Sequence, residues 1–200
     1  MLIRWFLMYI LLFVPTAWAE PTILVFGDSL SANYGVAIES GWVSLLQQRL
    51  AQHHYAYRVV NASISGETTA GGLARIDATL AAHRPAIVIV ELGANDGLRG
   101  LPLLAMRDNL DAMIRACVAS KAKVLLVGMR LPPNYGAAYN ERFSAIYPAL
   151  AHKYRTALLP FLLEGMADKR EMFQADNLHP TAAAQPSVLE NVWKRLRPLL

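Results

Sequence analysis

The sequence predicts an α/β fold, a three-layer sandwich with a five-stranded parallel sheet between two layers of helices. Two observations carry this. Short apolar, β-branched runs alternate with longer stretches whose apolar residues recur at helical spacing, and such alternation gives a parallel sheet with right-handed crossovers. One of the runs, Ala-Ile-Val-Ile-Val-Glu-Leu at 86–92, is apolar almost throughout, as suits a strand covered on both faces. A flavodoxin-like strand order is expected, with ligands outside the carboxyl ends of the strands.

The elements follow in order. Ile23-Leu24-Val25-Phe26 reads as the first strand, stopping at Gly27. Residues 40–52 place Trp42, Leu45, Leu46 and Leu50 on one helical face. Tyr57-Arg-Val-Val-Asn61 is a second strand, and 70–83 a helix. The third strand is 86–92, followed by a loop over 93–100 and a helix from 103 to 120. The fourth strand is 123–127. A Pro-Pro-Asn-Tyr-Gly loop at 132–136 then precedes one helix reaching Tyr154. Residues 157–159 form the fifth strand, 162–167 a brief helix, and 181–196 the last helix.

Two hundred residues suffice for one domain with a full core. The hydrophobic fraction, 54%, is raised by the N-terminus. There Arg4 precedes an apolar run from Trp5 to Val14, and Ala17-Trp18-Ala19 supplies a small-x-small pattern. This predicts a signal peptide over 1–19, cleavage after Ala19, and a single domain over 20–200 in the periplasm or secreted, with no membrane anchor left. Removing Arg4 leaves 18 Lys and Arg against 15 Asp and Glu. A dispersed excess of that size does not argue for nucleic acid. Cys117 is the one cysteine, so no intramolecular disulfide can form, and its amphipathic setting reads as a buried thiol.

Polar clusters stand where the sheet's carboxyl edge is expected. They are Gly27-Asp28-Ser29-Leu30, the turn at Gly66, Gly93-Ala94-Asn95-Asp96, and Asp176-Asn177-Leu178-His179 before the last helix. Ester hydrolysis needs a nucleophile, a base, a group to orient the base, and donors for the oxyanion. Ser29, His179 and Asp176 can fill the first three roles. The backbone N–H groups of Ser29 and Gly66 and the amide of Asn95 can supply the donors. Each residue also has a plain structural reading: Asn95 and Gly66 suit turns, Asp28 and Asp96 suit helix caps, and His179 suits a surface loop. No G-x-S-x-G elbow and no Gly-rich nucleotide motif is present. The scattered histidines offer no ligand cluster beside the aspartates, so no metal or other cofactor is expected.

The four blocks resemble those of the SGNH, or GDSL, hydrolases. Val60–Thr68, Val90–Gly100 and Arg130–Gly136 are further similar to its bacterial periplasmic branch of acyl-CoA thioesterases, lysophospholipases and arylesterases. The resemblance implies catalytic Ser29, Asp176 and His179 and an oxyanion hole from Ser29, Gly66 and Asn95. It also implies an acyl cleft lined by Leu98, Arg99, Pro133, Tyr135 and Leu178 and small acyl esters or thioesters as substrates. A monomer is expected. Two positions depart from the branch. Ala94 stands where a second glycine is usual, and Asn177-Leu178 replaces Gly-Ile. Carbohydrate O-acetyl esterase and a non-catalytic binding module are the competing readings. The leucine- and proline-rich edge loops favour an acyl chain over a sugar.

Overall fold

The computed structural model describes residues 20–200. The signal peptide and cleavage site expected over 1–19 lie outside the described residues. Five parallel strands, β1 (Thr22–Gly27), β2 (Arg58–Asn61), β3 (Ile87–Glu91), β4 (Lys123–Val127) and β5 (Ala157–Leu159), make one sheet in the order β2-β1-β3-β4-β5. This is the flavodoxin-like order, whose switch point lies between β1 and β3. Every residue of β1 and β3 is buried, which is why their sequences are apolar on both alternating faces.

The helices are α1 (Trp42–Gln52), α2 (Thr69–His83), α3 (Ala94–Leu98), α4 (Leu103–Ala119), α5 (Ala137–Ser144), α6 (Ile146–Tyr154) and α7 (Gln185–Leu196). α2 packs on α4, and α1 on α7. Trp42 ties α1 to two distant elements. Its backbone N–H donates to Gln185 Oε1 (3.0 Å) and its indole N–H to the Leu30 carbonyl (3.1 Å). Gly41, which precedes α1, has no side chain to cap it, so a glutamine from α7 does so. Cys117 is buried on α4, and burial pushes its thiol up to about 12. Among the described residues no helix is long and apolar enough to cross a membrane.

Besides α3, which lies where a loop was expected over 93–100, three elements differ from expectation. The single helix expected before Tyr154 is two, broken at Ala145. Pro148 has no N–H for a bond to the turn before it and its ring crowds that turn, so it sits in the first turn of α6, where no such bond is needed. Residues 162–167 form turns rather than a helix. The last helix starts at Gln185, after a short 3-10 turn over Ala182–Ala184, with proline in its first turn.

Candidate active site

β1 ends at Gly27, and the chain turns beyond it with Ser29 at the sheet's carboxyl edge. Gly27 is needed for space rather than for turning. A Cβ there would lie 2.6 Å from Glu91 Oε2, at the end of the neighbouring strand β3. Asp28 beside it is buried, and its Oδ1 accepts the Leu30 N–H at 3.0 Å, closing a tight Asx-type turn. That turn presents Ser29, which is partly buried, to a cleft of about 1090 Å³.

The histidine arrives from the opposite end of the sequence. Phe173 and Pro180 pair as an antiparallel bridge, and the loop between them carries Asp176 and His179. Asp176 Oδ1 accepts the backbone N–H groups of Leu178 (2.9 Å) and His179 (3.0 Å), and Oδ2 lies 2.7 Å from His179 Nδ1. His179 Nε2 in turn lies 2.8 Å from Ser29 Oγ. Desolvation pushes the Asp176 carboxyl up, but these backbone and imidazole bonds outweigh it and hold the group down to about 2. Asn177 sits in this loop at φ 60°. The departure from glycine is therefore accommodated, because asparagine tolerates the left-handed region better than most residues.

The other clusters meet the same cleft. Gly66 has φ 78°, a conformation that favours glycine, and a Cβ there would meet only Arg99 Nη2 at 3.5 Å. Gly93 at φ 114° caps α3 and lifts Asn95 into that helix's first turn, where a plain loop was expected. Asn95 Nδ2 donates to the Glu67 carbonyl (3.0 Å) and to Asp28 Oδ2 (3.2 Å). The Ser29 and Gly66 N–H groups donate to no acceptor among the described residues. Asp96 has the structural role. Its carboxylate accepts from Thr69 N–H (2.8 Å) and Thr69 Oγ1 (2.6 Å) at the start of α2.

Leu98, Pro133 and Leu178 line the cleft, as does Ala94. Arg99 and Tyr135 do not. Arg99 turns back to donate to the Gly66 carbonyl (2.8 Å), and the Tyr135 hydroxyl donates to the Leu98 carbonyl (2.9 Å), so both brace the loops that form the wall. The wall's apolar residues include Met129, Leu131 and Phe161, from the segments that follow β4 and β5. Asn140 fixes Leu131 by bonding both its N–H (3.0 Å) and its carbonyl. Sequence reasoning also missed Tyr34, whose ring lies against that of His179 at 4.3 Å between centroids. Beneath Ser29 is a buried pair of carboxyl groups. Glu91 Oε2 accepts from Ser31 Oγ (2.7 Å) and from the Asp28 N–H (3.3 Å). Burial, with Asp28 nearby, raises the Glu91 carboxyl well above its ordinary range, and burial likewise raises Asp28 to about 7. Among the described residues no group of three His, Cys, Asp or Glu side chains is placed to hold a metal ion.

Known proteins share this frame. The chain is 56% identical over 182 residues to "Esterase TesA" of Pseudomonas aeruginosa, covering 91% of this chain and 90% of that one. It is 43% identical over 199 residues to "Thioesterase 1/protease 1/lysophospholipase L1" of Escherichia coli K12, covering 98% and 94%. A crystal structure of TesA superposes with a TM-score of 0.88 at 56% identity, covering 90% of this chain and 99% of that one. A psychrotrophic esterase EstA from Pseudoalteromonas, inhibited by monoethylphosphonate, superposes with a TM-score of 0.85 at 39% identity, covering 90% and 98%. Residues 25–185, which run from within β1 to the start of α7 and hold all four polar clusters, match the GDSL-like Lipase/Acylhydrolase family, and the chain belongs to that family.

Proposed function

We propose that the protein is an exported serine hydrolase that cleaves small acyl esters and thioesters, with Ser29 as nucleophile, His179 as base and Asp176 as its orienter. The observation that carries this is the unbroken relay from Asp176 Oδ2 through the imidazole to Ser29 Oγ, opening on an apolar cleft. An ionised Asp176 favours the tautomer with the proton on Nδ1, leaving the Nε2 lone pair for the serine proton. As Oγ bonds to the substrate carbonyl carbon, its proton passes to Nε2, and the carbonyl oxygen becomes an oxyanion. Return of that proton to the departing alcohol or thiol gives an acyl-enzyme, and water repeats the sequence to release the acid.

The Ser29 and Gly66 N–H groups are the oxyanion donors in this reading, supported by their lack of internal acceptors. Asn95 supplies the third donor by exchanging its 3.2 Å bond to Asp28 for the oxyanion. The apolar wall of Met129, Leu131 and Phe161 suits an acyl chain, and the relatives named esterase and thioesterase support both leaving groups. Turnover of p-nitrophenyl esters, acyl-CoA, lysophospholipid and acetylated sugar, measured side by side, tests the substrate class. Acyl substrates should be cleaved and the sugar left. Labelling by a p-nitrophenyl phosphonate at any residue but Ser29 would overturn the assignment.

A further inference from the structure

We infer that Gln174 is a positioning residue, whose one side-chain amide joins the loop after Ser29 to the loop that carries Asp176 and His179. Gln174 stands at the neck of the second loop. Its backbone N–H donates to the His179 carbonyl (2.8 Å), and its own carbonyl accepts from the Asn177 N–H (3.1 Å). Its side chain reaches outward. Nε2 donates one hydrogen to the Pro180 carbonyl (3.1 Å) and the other to the Tyr34 carbonyl (2.8 Å), 140 residues away in sequence.

Tyr34 is tied to the nucleophile on its other side, since its N–H donates to the Ser29 carbonyl at 3.3 Å. The links run from Ser29 through Tyr34 and Gln174 to His179, parallel to the direct Ser29–His179 contact. Neighbouring glycine makes room for this. A Cβ on Gly35 would lie 2.2 Å from Gln174 Oε1. The Tyr34 ring, held by its backbone at this point, lies against the imidazole. Together with that ring, these bonds tie two short loops from opposite ends of the chain across the 2.8 Å Ser29–His179 contact. Both amide hydrogens of Gln174 are matched to carbonyls, so an isosteric side chain without donors would leave the loops adjacent and free to slide. A misplacement near 1 Å is enough to reduce turnover about 10²-fold.

The inference rests on the proposed nucleophile and base, and its test separates the two. Wild-type protein and Gln174→Met are titrated with a p-nitrophenyl phosphonate, which reports the number of reactive serines by its burst and their reactivity by its rate. Gln174→Met should retain the full burst, label roughly 10–10²-fold more slowly, and lose kcat by a similar factor with KM changed less than about twofold. Tyr34→Ala removes only the ring against the imidazole and keeps both backbone groups of the linkage, so Gln174→Met should still slow labelling further in that background. A wild-type labelling rate in Gln174→Met overturns the inference, as does a reduced burst at an unchanged rate, which marks loss of folded protein alone. Failure of wild-type protein to be labelled at Ser29 overturns instead the nucleophile assignment beneath it.

Discussion

The amide of Asn95 is bonded to the carboxyl of Asp28, Nδ2 to Oδ2 at 3.2 Å, and to the Glu67 carbonyl at 3.0 Å. Both of its hydrogens are therefore spoken for before any substrate arrives. In the proposed mechanism an oxyanion between Ser29 and Gly66 would compete with Asp28 for one of them, so the amide would gain strength as negative charge develops. Asn95→Ala should lower kcat by about 10²–10³ with little change in KM. Asn95→Asp should lose activity and stability together, because its carboxylate would face both the Asp28 carboxyl and a backbone carbonyl. Melting curves of Asn95→Asp thus do not distinguish a donor from a turn residue, whereas steady-state kinetics of Asn95→Ala do. Near-wild-type kcat in that variant would remove Asn95 from the oxyanion site.

Ser29 and His179 act as one unit in the proposed mechanism, through their 2.8 Å contact. Ser29→Ala and His179→Ala should each reduce kcat by a factor on the order of 10⁴–10⁶, and the double variant should be no worse. Circular dichroism should match wild type in all three. Asp176, held down to about 2, is ionised throughout the range above about pH 4. Retained activity in either single variant would break the assignment.

The five strands were legible as short runs rich in apolar or β-branched residues, most plainly β1 and β3, whose pattern is set by burial on both faces, whereas β2 and β5 are only partly buried. β1 and β3 are entirely buried, and their bounds fall within one residue of those expected. The meeting of Ser29, Asp176 and His179 side chains was legible because their motifs lie in the loops that this topology gathers. What supports them was not. Glu91 touches Ser31 across 60 residues and Gln174 touches Tyr34 across 140, and nothing local in sequence marks such a pair. Arg99 and Tyr135 were expected in the cleft from the family resemblance. Each instead spends its polar group on a backbone carbonyl, a choice fixed by loop geometry alone.

The departure at Asn177 gives a third test. Its φ of 60° costs asparagine little, and glycine nothing, but strains a β-branched residue. The side chain is exposed, so packing adds little to the comparison. Asn177→Gly should keep wild-type kcat. Asn177→Val should lose about 1–2 kcal/mol of stability and slow turnover by loosening the Asp176–His179 loop. Chemical denaturation and kinetics of the pair decide it, and equal behaviour of the two variants would show that the loop does not depend on this conformation.

Export makes a prediction about mass. Cleavage after Ala19 leaves a protein beginning at Glu20, two residues before β1. Protein recovered from the periplasm of an expressing bacterium should have the mass of residues 20–200. Full-length protein confined to the membrane fraction would reject both the cleavage and the location.

The buried carboxyl pair beneath Ser29 should set how stability changes with pH. Burial raises Glu91 well above its ordinary value, so the folded protein keeps a proton that the unfolded chain loses above about pH 4.5. Asp28, raised to about 7, acts in the same sense over a narrower window, between its ordinary value of 3.8 and about 7. In that regime the folded state binds more protons than the unfolded one, and stability falls as pH rises, by up to about 1.4 kcal/mol per pH unit for each retained proton. Glu91→Gln removes one of them. Glutamine has the same shape, and its carbonyl can still accept from Ser31 Oγ and the Asp28 N–H, as Oε2 does now. Its amide nitrogen takes the place of Oε1, which has no partner among the described residues, so that side of the group loses no contact. The variant should match wild type near pH 4 and melt higher than wild type at pH 8, with a flatter curve between. Wild-type and variant melting temperatures that run parallel from pH 4 to 8 would mean that Glu91 is already ionised in the folded protein.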